Sequence, residues 1–127
     1  MNVGDILVWV TARAKGHDQR RKYHLYIGDA GWREDGHAFL FINSANYGGD
    51  YKIVRGNYTF LSREVSFIGC NGLVVYPEDE LRGYQIVKCG ELQSQDAHGL
   101  HDALAESETM EAWQISLCCD AIRPLIP

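Results

Sequence analysis

The sequence predicts an α+β, mainly β fold: a small antiparallel sheet curled into a barrel over about residues 3–90, then two helices over about 94–123 packed on it. Five or six short segments rich in β-branched and aromatic residues follow one another with turn chemistry and no intervening helix. After Pro77 the apolar spacing lengthens toward that of helices. Finally, 127 residues with 46% hydrophobic and 23% charged content suit one domain with one core.

Residues 5–10, DILVWV, form a strand by composition and are too short for a stable isolated helix. A cation-rich loop follows. Residues 23–28 read as a second strand, and DAGWREDG (29–36) is the turn that folds residues 38–43 back against it. SANYGGD (44–50) is another turn cluster, after which Tyr51–Val54 can pair and RGNY turns the chain before Phe60. Segments 65–70 and 73–76 flank Asn71-Gly72, a dipeptide suited to a type I′ hairpin turn. PEDEL (77–81) is a turn or a short helical start, and 84–87 is a candidate edge strand. Ser94 can cap a helix with Ala97, Leu100, His101 and Leu104 on one face. Ser107 or Thr109 caps the next, where Met110, Trp113, Leu117, Cys118, Ala121 and Ile122 form a core stripe that Pro124 ends.

The longest apolar runs are about a quarter of the roughly 20 residues a membrane span needs, and MNVGDILVWV carries no leader-like pattern. The expectation is a cytoplasmic protein with no membrane partner. Cys70, Cys89, Cys118 and Cys119 contain no CxxC pair, so reduced thiols are expected. Neighbours Cys118 and Cys119 diverge by about 100° on a helix and are poor partners for one metal. The net charge of −5 conceals an asymmetry: residues 1–64 hold nine Lys/Arg against seven Asp/Glu, residues 65–127 three against ten. An anion-binding surface therefore belongs to the first half.

Arg13, Lys15, Arg20, Arg21 and Lys22 flank Gly16 between two strands. Fixed positive charge beside a glycine loop suits phosphate, although charge alone equally fits a solubilising loop. His17 in that loop and His24 on the second strand could move protons near neutral pH; a strand histidine beside Tyr26 is also an ordinary packing residue. Asn43 and Ser44 end the third strand, as turn caps or as an amide and a hydroxyl facing the basic loop.

GDILVWV, GHDQ (16–19), a strand and FINS (41–44), in that order, resemble the layout of MazF/PemK-like toxins of bacterial toxin–antitoxin systems. SFIGCNGLVVYPEDEL (66–81) is similar to the late barrel strand and short helix of that family. The resemblance runs in order over most of residues 3–122, and GHDQ is its most specific part. It implies a Src-homology-3-like barrel, commonly dimeric, that cleaves single-stranded RNA without metal or other cofactor and answers to an antitoxin protein. It also implies that Gly16, His17, Asp18 and Gln19 form the loop over the cleft, with Lys22 or Arg21 at the place of the catalytic arginine and Ser44 at that of the Thr/Ser. The ribose 2′-OH would attack phosphorus, the cation would stabilise the phosphoryl charge, Ser44 would orient the phosphate, and His17 or His24 would move the proton. Arg13, Lys15, Gly16, Gln19, Arg20 and Asn43 would hold the RNA.

Where the family has Arg-Pro, this chain has Lys22-Tyr23-His24, a point charge in place of a bidentate fork. That substitution motivates a second expectation, a barrel that binds RNA or a partner protein without cutting. A third rests on GDIL…HLYIGD, which resembles NlpC-type and lecithin:retinol-acyltransferase-like thiol hydrolases; His24 would then activate Cys70.

Overall fold

The computed structural model describes residues 1–13, 19–31 and 35–127. The β-rich segments form strands β1 (Asp5–Thr11), β2 (Arg20–Asp29), β3 (His37–Asn43), β4 (Tyr51–Val54), β5 (Val65–Ile68), β6 (Val74–Tyr76) and β7 (Val87–Glu91). Among the described residues three α-helices accompany them, α1 (Glu78–Arg82), α2 (Ser94–Ala105) and α3 (Ala112–Ile122), the last followed by a 3-10 turn at Arg123–Leu125. All strand pairs are antiparallel, in the order β4-β5-β3-β2-β1-β7, with β6 also on β3. Among the described residues no pairing joins β4 to β7, so the sheet curls into a half-barrel open along one side. None of the described helices is long and apolar enough to cross a membrane.

The period of two sorts each strand onto two faces. Ile6, Leu25, Ile27, Leu40, Ile42, Ile53 and Ile68 point to one face, where they meet Leu100 and Leu104 of α2 and Cys118 and Ile122 of α3. Burying each such aliphatic side chain contributes about 1.5–3 kcal/mol relative to exposure. This face holds α2 in place, because that helix starts after Gln93 with no side-chain cap. Leu7, Trp9, Tyr26, Phe39 and Tyr76 point to the other face and gather under α1 through Leu81.

Several elements differ from the sequence expectation. β2 begins at Arg20 instead of Tyr23, because its pairing with β1 continues through Thr11↔Arg20. Asn71-Gly72 makes no hairpin: β5 pairs with β3 at Ile42 and Asn43, β6 pairs with it at His37, Ala38 and Phe39, and both run along the same strand. A type I′ turn needs positive φ at both central residues, and neither Asn71 nor Gly72 has it. The edge strand falls at Val87–Glu91; Tyr84 turns toward Trp9, their ring centres 5.9 Å apart. α3 is capped by Glu111, which exchanges hydrogen bonds with Gln114, while the Thr109 hydroxyl is spent elsewhere. Trp113 is half-buried, its indole N–H donating to Glu111 Oε2 at 3.0 Å; the tryptophan in the sheet core is Trp9.

Gly36 closes the β2–β3 connection at φ +135°, and a Cβ there would lie 2.4 Å from the Tyr76 carbonyl oxygen. Only glycine allows this approach, which seats β6, and with it Tyr76, against the hairpin.

Candidate functional site

Alternation along β2 places Lys22 on the same face as His24 and Tyr26, in register with Trp9 of β1. Its ammonium reaches toward β3, donates to Asn43 Oδ1 and lies 5.1 Å from the centre of the Phe41 ring. Burial pushes the amine below the ordinary lysine pKa, and the charge of Arg20 pushes the same way. No described carboxylate forms an ion pair with Arg20, Arg21 or Lys22, although Arg13, Arg55, Arg82, Lys88 and Arg123 all have one.

A cleft of about 590 Å³ opens around Lys22. Arg20 and Arg13 line it beside the lysine. The Arg13 guanidinium is fixed: it pairs with Glu80 through Nε and Nη2, donates from Nη1 to the Val75 carbonyl at 2.9 Å, and lies 4.8 Å above the Tyr76 ring. Glu80 raises the pKa of Arg13, and Arg13 lowers that of Glu80. Arg13 is therefore a partly neutralised, oriented donor, whereas Lys22 and Arg20 carry the charge of the cleft.

The opposite wall comes from three loops. Asp50 accepts the backbone N–H groups of Tyr47 and Cys70, both at 2.9 Å, and the Asn71 side-chain amide at 3.1 Å. Thr109, from the α2–α3 connection, donates to the Asn71 carbonyl at 2.6 Å. Asp50, the one carboxylate lining the cleft among the described residues, is thus occupied in bracing its wall. Phe41 forms part of the lining, and Tyr47 stands at the rim, 73% exposed. Cations, amides and aromatic rings together suit a phosphodiester strand with an unpaired base. The described lining contains no histidine and no unengaged carboxylate for acid–base work.

The structure brings together Lys22, Asn43, Arg20 and Arg13. Arg21 and Gln19 face a second cleft of about 420 Å³ on the β1 side, with Val8, Val10, Tyr84 and Val87. Ser44 follows the last residue of β3, is exposed, and is not part of the lining of either cleft. Lys15, Gly16, His17 and Asp18 lie outside the described residues.

His24 is fully buried, stacked on Trp9 with ring centres 3.5 Å apart, and has both ring nitrogens in hydrogen-bonding contacts. Burial, the largest cause, drives its pKa down to about 3, so the imidazole is neutral at pH 7 and enclosed rather than poised at the mouth. Nor does it meet Cys70. That thiol belongs to the core on the helix-covered face, its pKa pushed up to about 12 by burial and then by Asp50, whereas His24 contacts the aromatic rings of the other face. The geometry required for a thiolate–imidazole pair is absent.

Sequence reasoning missed Phe41, Tyr47, Asp50, Asn71 and Thr109. Phe41 was accessible, since alternation on β3 puts it on the face of Asn43. Tyr47 and Asp50 lay within a segment read only as a turn. Thr109 gave no signal, because its contact with Asn71 joins positions 38 apart. In comparison with known proteins, the chain matches no family model and no curated protein sequence.

Proposed function

We propose that the Lys22 cleft binds single-stranded RNA, with Lys22 and Arg20 on phosphate oxygens, Asn43 and Asn71 on polar edges, and Tyr47 stacking on a base. The observation that carries this reading is the run Arg20-Arg21-Lys22. An acidic protein leaves these three successive cations without a described carboxylate partner and half-buries one of them in a cleft. An unpaired, partly desolvated cation costs stability, and an anionic ligand offsets that cost. The ordered resemblance to MazF/PemK-like toxins, with their Src-homology-3-like barrels, favours RNA as the strand.

Binding is a better fit than cleavage. A 2′-OH attack needs a proton acceptor; among the described candidates, His24 is a weak base enclosed in the core and Ser44 stands outside the lining. Lysine at position 22 can hold one phosphate oxygen without the bidentate grip of arginine.

Fluorescence anisotropy with a labelled mixed-sequence single-stranded RNA tests this. Binding should weaken with salt, exceed that of the duplex, and fall roughly tenfold in Lys22→Ala with the melting temperature nearly unchanged. No binding at low salt, or binding indifferent to Lys22→Ala, overturns the proposal. RNA fragments with 2′,3′-cyclic phosphate ends after incubation in EDTA would replace binding with metal-independent cleavage.

A further inference from the structure

Beneath the cleft runs a buried chain of polar groups that surface charge does not explain. The Arg13 backbone N–H donates to Thr11 Oγ1 at 3.2 Å. Thr11 Oγ1 lies 3.0 Å from Tyr76 Oη, Tyr76 Oη lies 2.9 Å from His24 Nε2, and His24 Nδ1 lies 3.0 Å from the Lys22 carbonyl oxygen. Thr11, His24 and Tyr76 are each fully buried.

The last contact sets the direction of the whole chain. A carbonyl oxygen only accepts, so Nδ1 carries the imidazole proton and Nε2 of the neutral ring must accept. The Tyr76 phenol then donates to Nε2, which leaves the Thr11 hydroxyl to donate to Tyr76 Oη. Each member donates once toward Lys22, and no hydroxyl or ring nitrogen in the chain is orphaned. Satisfied buried networks of this kind are rigid.

The chain begins at the backbone of Arg13 and ends at the backbone of Lys22. These are two of the cations lining the cleft, Arg13 just after β1 and Lys22 within β2. The same Tyr76 ring also lies under the Arg13 guanidinium.

We propose that Thr11, Tyr76 and His24 are positioning residues, a directional hydrogen-bonded relay that holds Arg13 and Lys22 at a fixed separation for a phosphate-bearing ligand. The proposal rests on the reading of the cleft given above. None of the three touches the ligand; they act through the backbone of the residues that do.

The test uses Tyr76→Phe, Thr11→Val and Thr11→Ser, with two readouts. The first is single-stranded RNA affinity as a function of salt. Tyr76→Phe and Thr11→Val should weaken binding several-fold and flatten the salt dependence by roughly the 0.7 expected for one lost phosphate contact. Thr11→Ser should restore both. In a Lys22→Ala background, Tyr76→Phe should weaken binding less than it does in the wild type, because part of its effect runs through Lys22.

The second readout needs no RNA: the acylation rate of the Lys22 amine against those of Lys15, Lys52 and Lys88, mapped by mass spectrometry. Tyr76→Phe should change the Lys22 rate selectively. Additive losses in the double variant, or an unchanged Lys22 rate with only a lower melting temperature, overturn the relay. A selective change at Lys22 in a protein that binds no RNA would sustain the relay and overturn the ligand.

Discussion

The two faces of the sheet are built from alternate residues of the same strands, yet they do different work. On β2, Leu25 and Ile27 enter an aliphatic layer sealed by α2 and α3, while Lys22, His24 and Tyr26 enter an aromatic layer that opens at one end into the cleft. The aliphatic face is stabilised chiefly by burial, and the polar atom that Tyr58 brings to it finds a partner in Asp96. The aromatic face accepts histidine, threonine and tyrosine because their polar atoms satisfy one another. The difference teaches that stability and ligand chemistry can be separated at single-residue spacing. A change at one position acts on one face, and its neighbour on the other.

Leu100→Ala should break the sealed face most severely, with a loss of about 2–5 kcal/mol in chemical denaturation. Its RNA affinity, measured where the variant is still folded, should match wild type; a parallel loss of both would dissolve the distinction. Acid probes the aromatic face next. The folded pKa of His24, about 3, lies below its unfolded value near 6.5, so below that value the unfolded chain takes up a proton that the native state refuses. Its contribution to stability therefore diminishes as the pH falls from about 6.5 and levels off near 3, by up to ~5 kcal/mol. His24→Gln, whose amide can both donate and accept, should reduce this slope in urea titrations across that range; an identical slope would mean that the imidazole is not shielded from protons. Tyr47→Ala is the smallest change to the fold, since the ring is exposed. It should leave the denaturation midpoint in place while weakening single-stranded RNA by about 1–3 kcal/mol if a base stacks there, and an unchanged affinity would remove stacking from the cleft.

Legibility from sequence followed the range of the interaction. The first three strands carry strong local signals, and their alternation already separates Lys22 from Tyr23 and Asn43 from Ile42. Asn71-Gly72 was misleading because local turn preference lost to pairing with β3 and to the hold of Asp50 on Asn71. Ser44 was drawn to the site by its neighbour in sequence, but it follows the last residue of β3 and lies exposed outside the cleft. The role of His24 depends on its tertiary surroundings: its type suggests proton transfer, and only its enclosure by Trp9, Phe39, Phe41 and Tyr76 reveals why it stays neutral. The Glu80 partner of Arg13, 67 positions away, was likewise invisible to any short motif.

The brace formed by Asp50, Asn71 and Thr109 bears on the order in which the molecule assembles. Local hairpins such as β2–β3 close short loops and can form early, but this brace joins three segments remote in the chain. The wall should therefore be among the last parts to consolidate and the first to open, with the Cys70 amide exchanging its hydrogen faster than those of β2. A mouth that loosens below the threshold of global unfolding can admit a flexible polymer and then tighten on it, with no hinge between rigid bodies.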